Sequence, residues 1–204
     1  MKKDPHLRFK TQYFFFYCIL MDKLFEVRFS GFPLDTFSLF CHSSAMNNSS
    51  FKVPVENRYL EDYEPGSVHE FGTIAVEEAD IIEFARCFDP QIFHTVPQAA
   101  RDTIYGGLIA SGWHTASMMM RLFVDYYLSG IASLGSPGVD ELRWKKPVRP
   151  GDALSLWVTV METKRSRSKP DRGVLTSFIE VINQKHDVVM SMQAVNMLLC
   201  RQAS

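Results

Sequence analysis

The chain has 204 residues and a mass of 23.4 kDa, which corresponds to one ordinary domain, or to one domain with an appendage. Apolar residues make up 46% of it and charged residues 22%, which provides a hydrophobic core and excludes a disordered or collagen-like chain. The formal net charge of −1 argues against general nucleic-acid binding, which favours a strongly basic sequence. Four scattered cysteines without a Cys-x-x-Cys pair argue against a disulfide scaffold or zinc site and favour a reducing compartment, the cytoplasm.

Residues 1–45 differ in character from the rest of the sequence. They hold nine of the 16 phenylalanines and follow neither a helical nor a strand period for long. The apolar run 13–21 is too short to cross a bilayer, which takes about 20 apolar residues. We therefore expect an extension outside the fold, consistent with a start codon assigned too early, and a single domain over 46–204. A membrane-touching aromatic arm is the alternative, but no basic amphipathic helix accompanies the run.

The first periodic elements follow a turn at Glu-Pro-Gly, residues 64–66, after which an extended stretch is expected. Apolar residues then recur every three or four positions up to Phe88, and acidic residues at 77 and 78 suit the positive start of a helix. Asp89-Pro90 ends this helix, because a residue that precedes proline disfavours the helical conformation. An irregular segment is expected over 89–105.

The longest periodic element is predicted over 108–128, opened by Gly106 and Gly107. It is apolar nearly all round, so we expect a central helix enclosed by other structure. Ionisable side chains within it, such as Arg121, argue against a membrane span.

After residue 138 the apolar period changes from about 3.6 to 2, which predicts strands. The predicted strands are 139–147, 152–165, 173–184 and 187–200. Strands that follow helices define the α+β class. We expect one antiparallel sheet that curls around the long helix.

Asp89 and His94 lie five positions apart in the segment between the two predicted helices. A carboxylate and an imidazole close together can hold a water molecule and transfer protons near neutral pH. A structural interpretation stays open as well. In that case Asp89 only ends the first helix, and His94 is a loop residue bonded to backbone.

Gly106 and Gly107 supply a second candidate feature. Glycines that open a helix leave backbone N–H groups at its positive end, where these can bind or polarise an oxygen. Packing of the helix against the sheet is the structural alternative. His114 is expected to be a buried helix histidine, and no carboxylate at ligand spacing joins it to His94, so no metal site is predicted.

Basic residues form two groups in the strand region. They are Arg143, Lys145, Lys146 and Arg149 in the first group, and Lys164, Arg165, Arg167, Lys169 and Arg172 in the second. Such groups are commonly a solvated face. The functional alternative is a mouth that attracts the phosphates of a nucleotide-like ligand.

Three segments, taken together, resemble the MaoC-like dehydratases, which are hot-dog-fold proteins related to the R-specific enoyl-CoA hydratases. The segments are FARCFDPQIFH at 84–94, YGGLIASGWH at 105–114 and LRWKKPVRPGD at 142–152. The resemblance covers about residues 55–200 and leaves out 1–45. It implies a hot-dog fold, in which an antiparallel sheet wraps a long helix, and a homodimer formed through that sheet.

The resemblance also implies an activity, the addition of water to the double bond of a trans-2-enoyl thioester, or its removal. Asp89 and His94 match the residues that hold the water and move protons, and Gly107 matches a backbone N–H donor to the thioester carbonyl. The expected substrate-binding residues are Gly106, Ser111, Arg143 and Lys145. The partner would be an acyl-CoA or acyl-carrier thioester, with coenzyme A as part of the substrate and no other cofactor or metal.

The sequence departs from the hydratase pattern in ways that bear on the site. Gln91 and Ile92 stand where the pattern has Asn and Pro, and Gly106 stands where it tends to have His. Without the proline, we expect a looser segment between Asp89 and His94.

Two alternative functions stay open. Hot-dog acyl-CoA thioesterases usually carry a catalytic acid on or near the long helix, where this sequence offers Asp125, far along it. The other alternative is a non-catalytic subunit that binds acyl thioesters.

Overall fold

The computed structural model describes residues 51–201, so the predicted extension over 1–45 lies outside the described residues. Two 3-10 helical turns, Val55–Asn57 and Leu60–Asp62, come first. The α-helices and strands in chain order are β1 (Val68–Ala75), α1 (Glu78–Phe88), α2 (Ile92–Thr95), α3 (Pro97–Ala100), α4 (Gly112–Tyr126), β2 (Gly138–Trp144), β3 (Ala153–Arg165), β4 (Arg172–Ile182) and β5 (Val188–Leu199). The α+β class is confirmed, and each predicted strand is found within a few residues of its predicted bounds. No helix in this part of the chain is long and apolar enough to cross a membrane.

The five strands form one antiparallel sheet in the order β1-β3-β4-β5-β2. Buried and partly exposed residues alternate along β4 and β5, because successive side chains of a strand point to opposite faces. One face of the sheet therefore carries the core. Strand β2 is an edge strand, and all but one of its residues are exposed.

Helix α4 packs against the sheet and supplies the centre of the core. Met119, Leu122 and Phe123 are buried there together with apolar residues of the strands. The expected central helix is found, but it is not buried along its whole surface, because Trp113 and Val124 are 44% and 48% exposed. A single sheet covers only one side of a helix, so these two apolar side chains face outward.

The start of α4 also differs from the prediction. The helix begins at Gly112 because Ser111 caps it: the Ser111 hydroxyl oxygen accepts a hydrogen bond from the Trp113 amide at 3.2 Å. The prediction that Gly106 and Gly107 open the helix is therefore wrong. These glycines precede a non-helical segment, 108–110, in which backbone hydrogen bonds run to neighbouring chain segments instead of along a helix.

The segment predicted to be irregular contains two single helical turns, α2 and α3. Backbone hydrogen bonds hold the stretch before α4 beside them. The Ile109 amide donates to the Phe93 carbonyl at 3.1 Å, and the Ala110 amide donates to the Val148 carbonyl at 2.8 Å. This stretch therefore joins α2 on one side to the chain that follows β2 on the other.

A buried arginine closes the other end of α4. The Arg58 side chain donates to the carbonyl oxygens of Tyr126 at 2.8 Å and Tyr127 at 3.3 Å, and its guanidinium lies 3.6 Å from the centroid of the Phe51 ring. Positive charge at a helix C-terminus is favourable, since the terminal carbonyls point there. Arg58 thus ties the chain before β1 to the end of the long helix.

Gly72 in β1 allows α4 to approach the sheet closely. Its φ is +53°, and a β-carbon there would lie 2.9 Å from side-chain atoms of Leu122 and Tyr126. At Gly66, φ is +85°, but no atom would lie within 4 Å of an added β-carbon.

We expect Gly72→Ala to lower the free energy of unfolding by about 2–4 kcal/mol, and the control Gly66→Ala by about 1 kcal/mol, because only Gly72→Ala adds overpacking to backbone strain. Urea denaturation measures both, and equal losses would contradict the close-packing account.

His69 makes stability depend on pH. Burial lowers its pKa from 6.5 to about 4, and the positive charge of Arg58 acts in the same direction. Between these two pH values the unfolded chain binds more protons than the folded one. The stability that the neutral His69 contributes above pH 6.5 is therefore lost as the pH falls towards 4.

We expect His69→Gln to reduce the slope of the unfolding free energy against pH in this window, as measured by urea denaturation. The same change at the exposed His186 should leave the wild-type slope, and a matching effect of both variants would refute the assignment to His69.

Candidate active site

A cavity of about 450 Å³ opens between α2, the start of α4 and the chain after β2. Polar and charged side chains from all three regions line it together with apolar ones. The lining residues are Asp89, Gln91, Phe93, His94, Tyr105, Ile109, Ala110, Ser111, Gly112, Trp113, Thr115, Trp144, Lys145, Lys146, Pro147, Val148 and Val189.

His94 is buried on α2, and one of its ring nitrogens is fixed by backbone. Nδ1 lies 2.8 Å from the carbonyl oxygen of Ile109. A carbonyl oxygen only accepts, so Nδ1 carries the hydrogen and donates it. The ring nitrogen that can gain or lose a proton is therefore Nε2, which faces Asp89.

Asp89 directly follows α1, and its carboxylate is held from both sides. Its Oδ2 lies 3.4 Å from His94 Nε2 and accepts a hydrogen bond from the Ser111 hydroxyl at 2.7 Å. Its Oδ1 accepts a hydrogen bond from the Gln91 side-chain amide at 2.8 Å. The structure thus brings Asp89 and His94 together, each oriented by a separate partner.

Ser111 links the carboxylate to the long helix. Its hydroxyl donates to Asp89 and accepts from the Trp113 amide, so one side chain both caps α4 and orients Asp89. Ser111 is only 1% exposed. Ser111 therefore lines the cavity and positions Asp89, while its assignment as a substrate-binding residue stays a prediction.

Two tryptophans border the cavity, and the sequence reasoning did not select them. The Trp113 and Trp144 rings lie 5.4 Å apart in a T-shaped arrangement, and both are about half exposed. Trp144 packs directly on Gly112, where a β-carbon would come within 2.4 Å of the indole ring. The sequence did contain a clue to their position, since Trp113 lies in the 105–114 motif and Trp144 in the 142–152 motif.

Of the remaining predicted site residues, Lys145 lines the cavity, as does its neighbour Lys146, whose amino group also pairs with Asp187. Arg143 does not line the cavity, and its guanidinium donates to the Leu142 carbonyl at 2.9 Å. The second basic group, near the turn between β3 and β4, does not line the cavity either.

Gly106 and Gly107 do not line the cavity either. They lie in a turn that Arg149 holds by donating to the Tyr105 carbonyl at 2.5 Å. Among residues 51–201, no backbone carbonyl accepts a hydrogen bond from the Gly107 amide. Its assignment as a donor to substrate stays a prediction.

His114 lies outside this cavity, where its ring stacks on Phe84 at a centroid distance of 4.8 Å. It is 8% exposed, as expected for a buried helix histidine. Within the described range 51–201, no group of three or more His, Cys, Asp or Glu residues could hold a metal ion.

The MaoC like domain family matches residues 62–196, which includes every cavity residue. The chain belongs to this family. Its relatives include the uncharacterized protein YdeM of Bacillus subtilis, 29% identical over 126 residues that span 62% of this chain and 88% of YdeM. Protein MaoC of Klebsiella aerogenes is 29% identical over 120 residues, which cover 57% of this chain but only 35% of that longer protein.

The crystal structure of a MaoC-like dehydratase from Rhodospirillum rubrum is similar, with a TM-score of 0.67 and 39% identity over 72% of this chain and all of that one. The (R)-hydratase from A. caviae involved in PHA biosynthesis gives a TM-score of 0.56 at 22% identity, over 69% of this chain and 99% of that one, which supports the fold alone. The predicted hot-dog fold is confirmed, and the family is of the hydratase or dehydratase type.

The double role of Ser111 predicts a measurable loss of stability. Ser111→Ala removes the helix cap and leaves Asp89 Oδ2 without its hydroxyl donor, so we expect the free energy of unfolding to fall by about 1–2 kcal/mol. Ser117→Ala is the control, since it makes the same change on the same helix but removes only an exposed bond to the Trp113 carbonyl. Denaturant unfolding compares the two, and a loss at Ser111 no greater than that at Ser117 would contradict the cap.

Proposed function

We propose that this protein adds water to, or removes it from, the C2=C3 bond of an acyl thioester. The observation that carries the proposal is the pairing of Asp89 and His94, with Oδ2 and Nε2 3.4 Å apart, in a cavity also lined by the start of a helix. Hydration needs one group to take a proton from water and a source of a proton for C2, and a carboxylate with an imidazole supplies both. Membership of the MaoC-like family supports the same reaction class.

In the proposed reaction, a water molecule bound by Asp89 and His94 attacks C3 of the enoyl thioester. Neutral His94 takes the water proton at Nε2, because Nδ1 already donates to the Ile109 carbonyl. The C2=C3 π electrons move towards the thioester carbonyl, and C2 then receives a proton from the pair. Dehydration follows the same steps in reverse.

The negative charge that develops on the thioester oxygen needs hydrogen-bond donors. By resemblance, Gly107 supplies one from its backbone N–H. The N-terminus of α4 is a second source, since Gly112 is its first residue and lines the cavity. The proposed chemistry forms a C3–O bond and a C2–H bond from the elements of water, with no external oxidant or reductant, so it requires no metal or redox cofactor.

The proposed substrate is an acyl-CoA or an acyl-carrier thioester. Lys145 and Lys146 at the cavity support binding of a phosphate-bearing group, which both carriers have. Arg143 and the glycine turn at Gly106 remain proposed contacts for parts of the substrate outside the cavity.

The position of Asp125 on α4 supports a thioesterase less well than the Asp89–His94 pair supports a hydratase. Asp125 is the only acidic residue of α4, and it forms an exposed ion pair with Arg121 at 2.7 Å. It does not line the cavity. The Asp89 carboxylate is the acid that faces the site.

We further propose that the protein is a cytoplasmic homodimer. Strand β2 is an exposed edge strand whose last residue, Trp144, borders the cavity. Unpaired edge strands can pair with the same strand of a second copy. The scattered cysteines support a reducing compartment.

The proposal predicts loss of conjugated-thioester absorbance when the protein meets a short trans-2-enoyl-CoA. We expect Asp89→Asn and His94→Ala each to lower kcat by ~10²-fold or more, because each removes a proton-transfer group. Asp125→Asn is the matched control, with the same change on an exposed acid, and should keep wild-type kcat. The configuration of the 3-hydroxy product tests R specificity.

Other outcomes would count against the proposal. Release of free thiol without a hydroxylated product would indicate a thioesterase. Binding of CoA esters without turnover would indicate the non-catalytic subunit. Circular dichroism on each variant separates loss of activity from loss of fold.

A further inference from the structure

We propose that Gln91 is the positioning residue of the Asp89–His94 pair, acting through both its backbone and its side-chain amide. The inference rests on the proposed function and adds a residue that sets the geometry and ionisation of the site. It also accounts for the departure of this sequence from the hydratase pattern, in which proline would stiffen the same segment.

The backbone of Gln91 connects the two groups directly. Its amide donates to the Asp89 carbonyl at 2.7 Å, and its own carbonyl accepts from the His94 amide at 2.9 Å. The Thr95 hydroxyl donates to the same carbonyl at 2.9 Å. One residue therefore fixes the path from Asp89 to the first turn of α2, which is the rigidity that the missing proline would otherwise supply.

The side chain of Gln91 acts on the carboxylate itself. Its Nε2 donates to Asp89 Oδ1 at 2.8 Å, and the orientation is fixed because an ionised carboxylate offers only acceptors. Oδ1 is thereby occupied, and Oδ2 contacts His94 and Ser111. The amide thus helps to fix the rotation of the carboxylate about its Cβ–Cγ bond, so that one oxygen stays directed at the imidazole.

The charged groups around Asp89 come from several elements. His94 faces it from α2, and Lys145 and Lys146 line the same cavity from the chain after β2. The neutral side chains of Gln91 and Ser111 touch the carboxylate directly. A negative charge at residue 91 would oppose that of Asp89 at close range, so the charge of this side chain bears on when Asp89 ionises.

Three substitutions at Gln91 separate its effects. Gln91→Leu removes the donor without adding charge, and we expect it to lower kcat by about tenfold with little change in KM, because a hydrogen bond to a charged group is lost at the site. Gln91→Asn, the residue of the hydratase pattern, keeps an amide and should restore part of that rate. Gln91→Glu places a second carboxylate beside Asp89 and should raise the acid limb of kcat/KM by about one pH unit or more.

The matched control is Gln98→Glu, which adds the same charge on α3, at an exposed residue that does not line the cavity. A direct titration of aspartate side chains by carbon-13 NMR, with the Asp89 signal assigned from Asp89→Asn, adds a readout that needs no turnover. We expect the titration midpoint of Asp89 to rise in Gln91→Glu and to stay at its wild-type value in Gln98→Glu.

Wild-type kcat in Gln91→Leu would overturn the positioning role, whatever Gln91→Glu does. An unchanged Asp89 midpoint in Gln91→Glu would overturn the influence on ionisation. If the wild type turns over no enoyl thioester, the proposed function fails by itself, and the NMR titration still decides whether Gln91 acts on Asp89. Circular dichroism confirms that each variant is folded.

Discussion

The hydrogen bond between Ser111 and Asp89 is the constraint on which the rest of the site depends. Ser111 is the residue at which the chain turns from the 108–110 segment into α4, so its hydroxyl accepts a hydrogen bond from the Trp113 amide in the first turn of the helix. The same hydroxyl donates to a carboxylate that ends a different helix, α1. The start of the long helix and the acid of the site are therefore fixed relative to each other by one buried side chain. A hydroxyl can do this because it donates one hydrogen and accepts through its lone pairs at the same time.

A second constraint comes from the segment that precedes this cap. Because residues 108–110 are not helical, the Ile109 carbonyl is free of any helical partner and can accept from His94 Nδ1. Had the helix started at residue 108, as the apolar pattern suggests, that carbonyl would point along the helix and be used by an amide four residues on. The shorter helix is thus what leaves a backbone acceptor to fix the tautomer of His94. The boundary of α4 and the chemistry of the imidazole are two aspects of one local structure.

The parts of the fold that follow from periodicity could be predicted from the sequence, and those that follow from single hydrogen bonds could not. The alternation over β3, β4 and β5 determines the strands, because a half-buried sheet imposes a period of two on any chain. The start of α4 escaped prediction since apolar residues continue without interruption through residues 108–110, and only the capping preference of Ser111 marks the boundary. For the site, the residue types Asp89 and His94 were available from the motif. The contacts of Ser111 and Gln91 with Asp89 depend on side-chain direction, which spacing does not encode.

The role proposed for Gln91 shows how the family's Asn-Pro pattern at residues 91 and 92 can change while the contact between Asp89 and His94 is kept. Proline stiffens a chain by fixing φ, but it gives up an N–H donor. Gln91 stands one position earlier and keeps its amide, which donates to the Asp89 carbonyl, while its side chain reaches the carboxylate. The stiffness that a proline ring would give is thereby replaced by four hydrogen bonds at one residue, to Asp89, His94 and Thr95. Such bonds strengthen when water leaves the cavity, because charge interactions grow as the local dielectric falls. In the proposed reaction, a substrate that excludes water from the carboxylate therefore strengthens this exposed bond at the step in which Asp89 takes part in proton transfer.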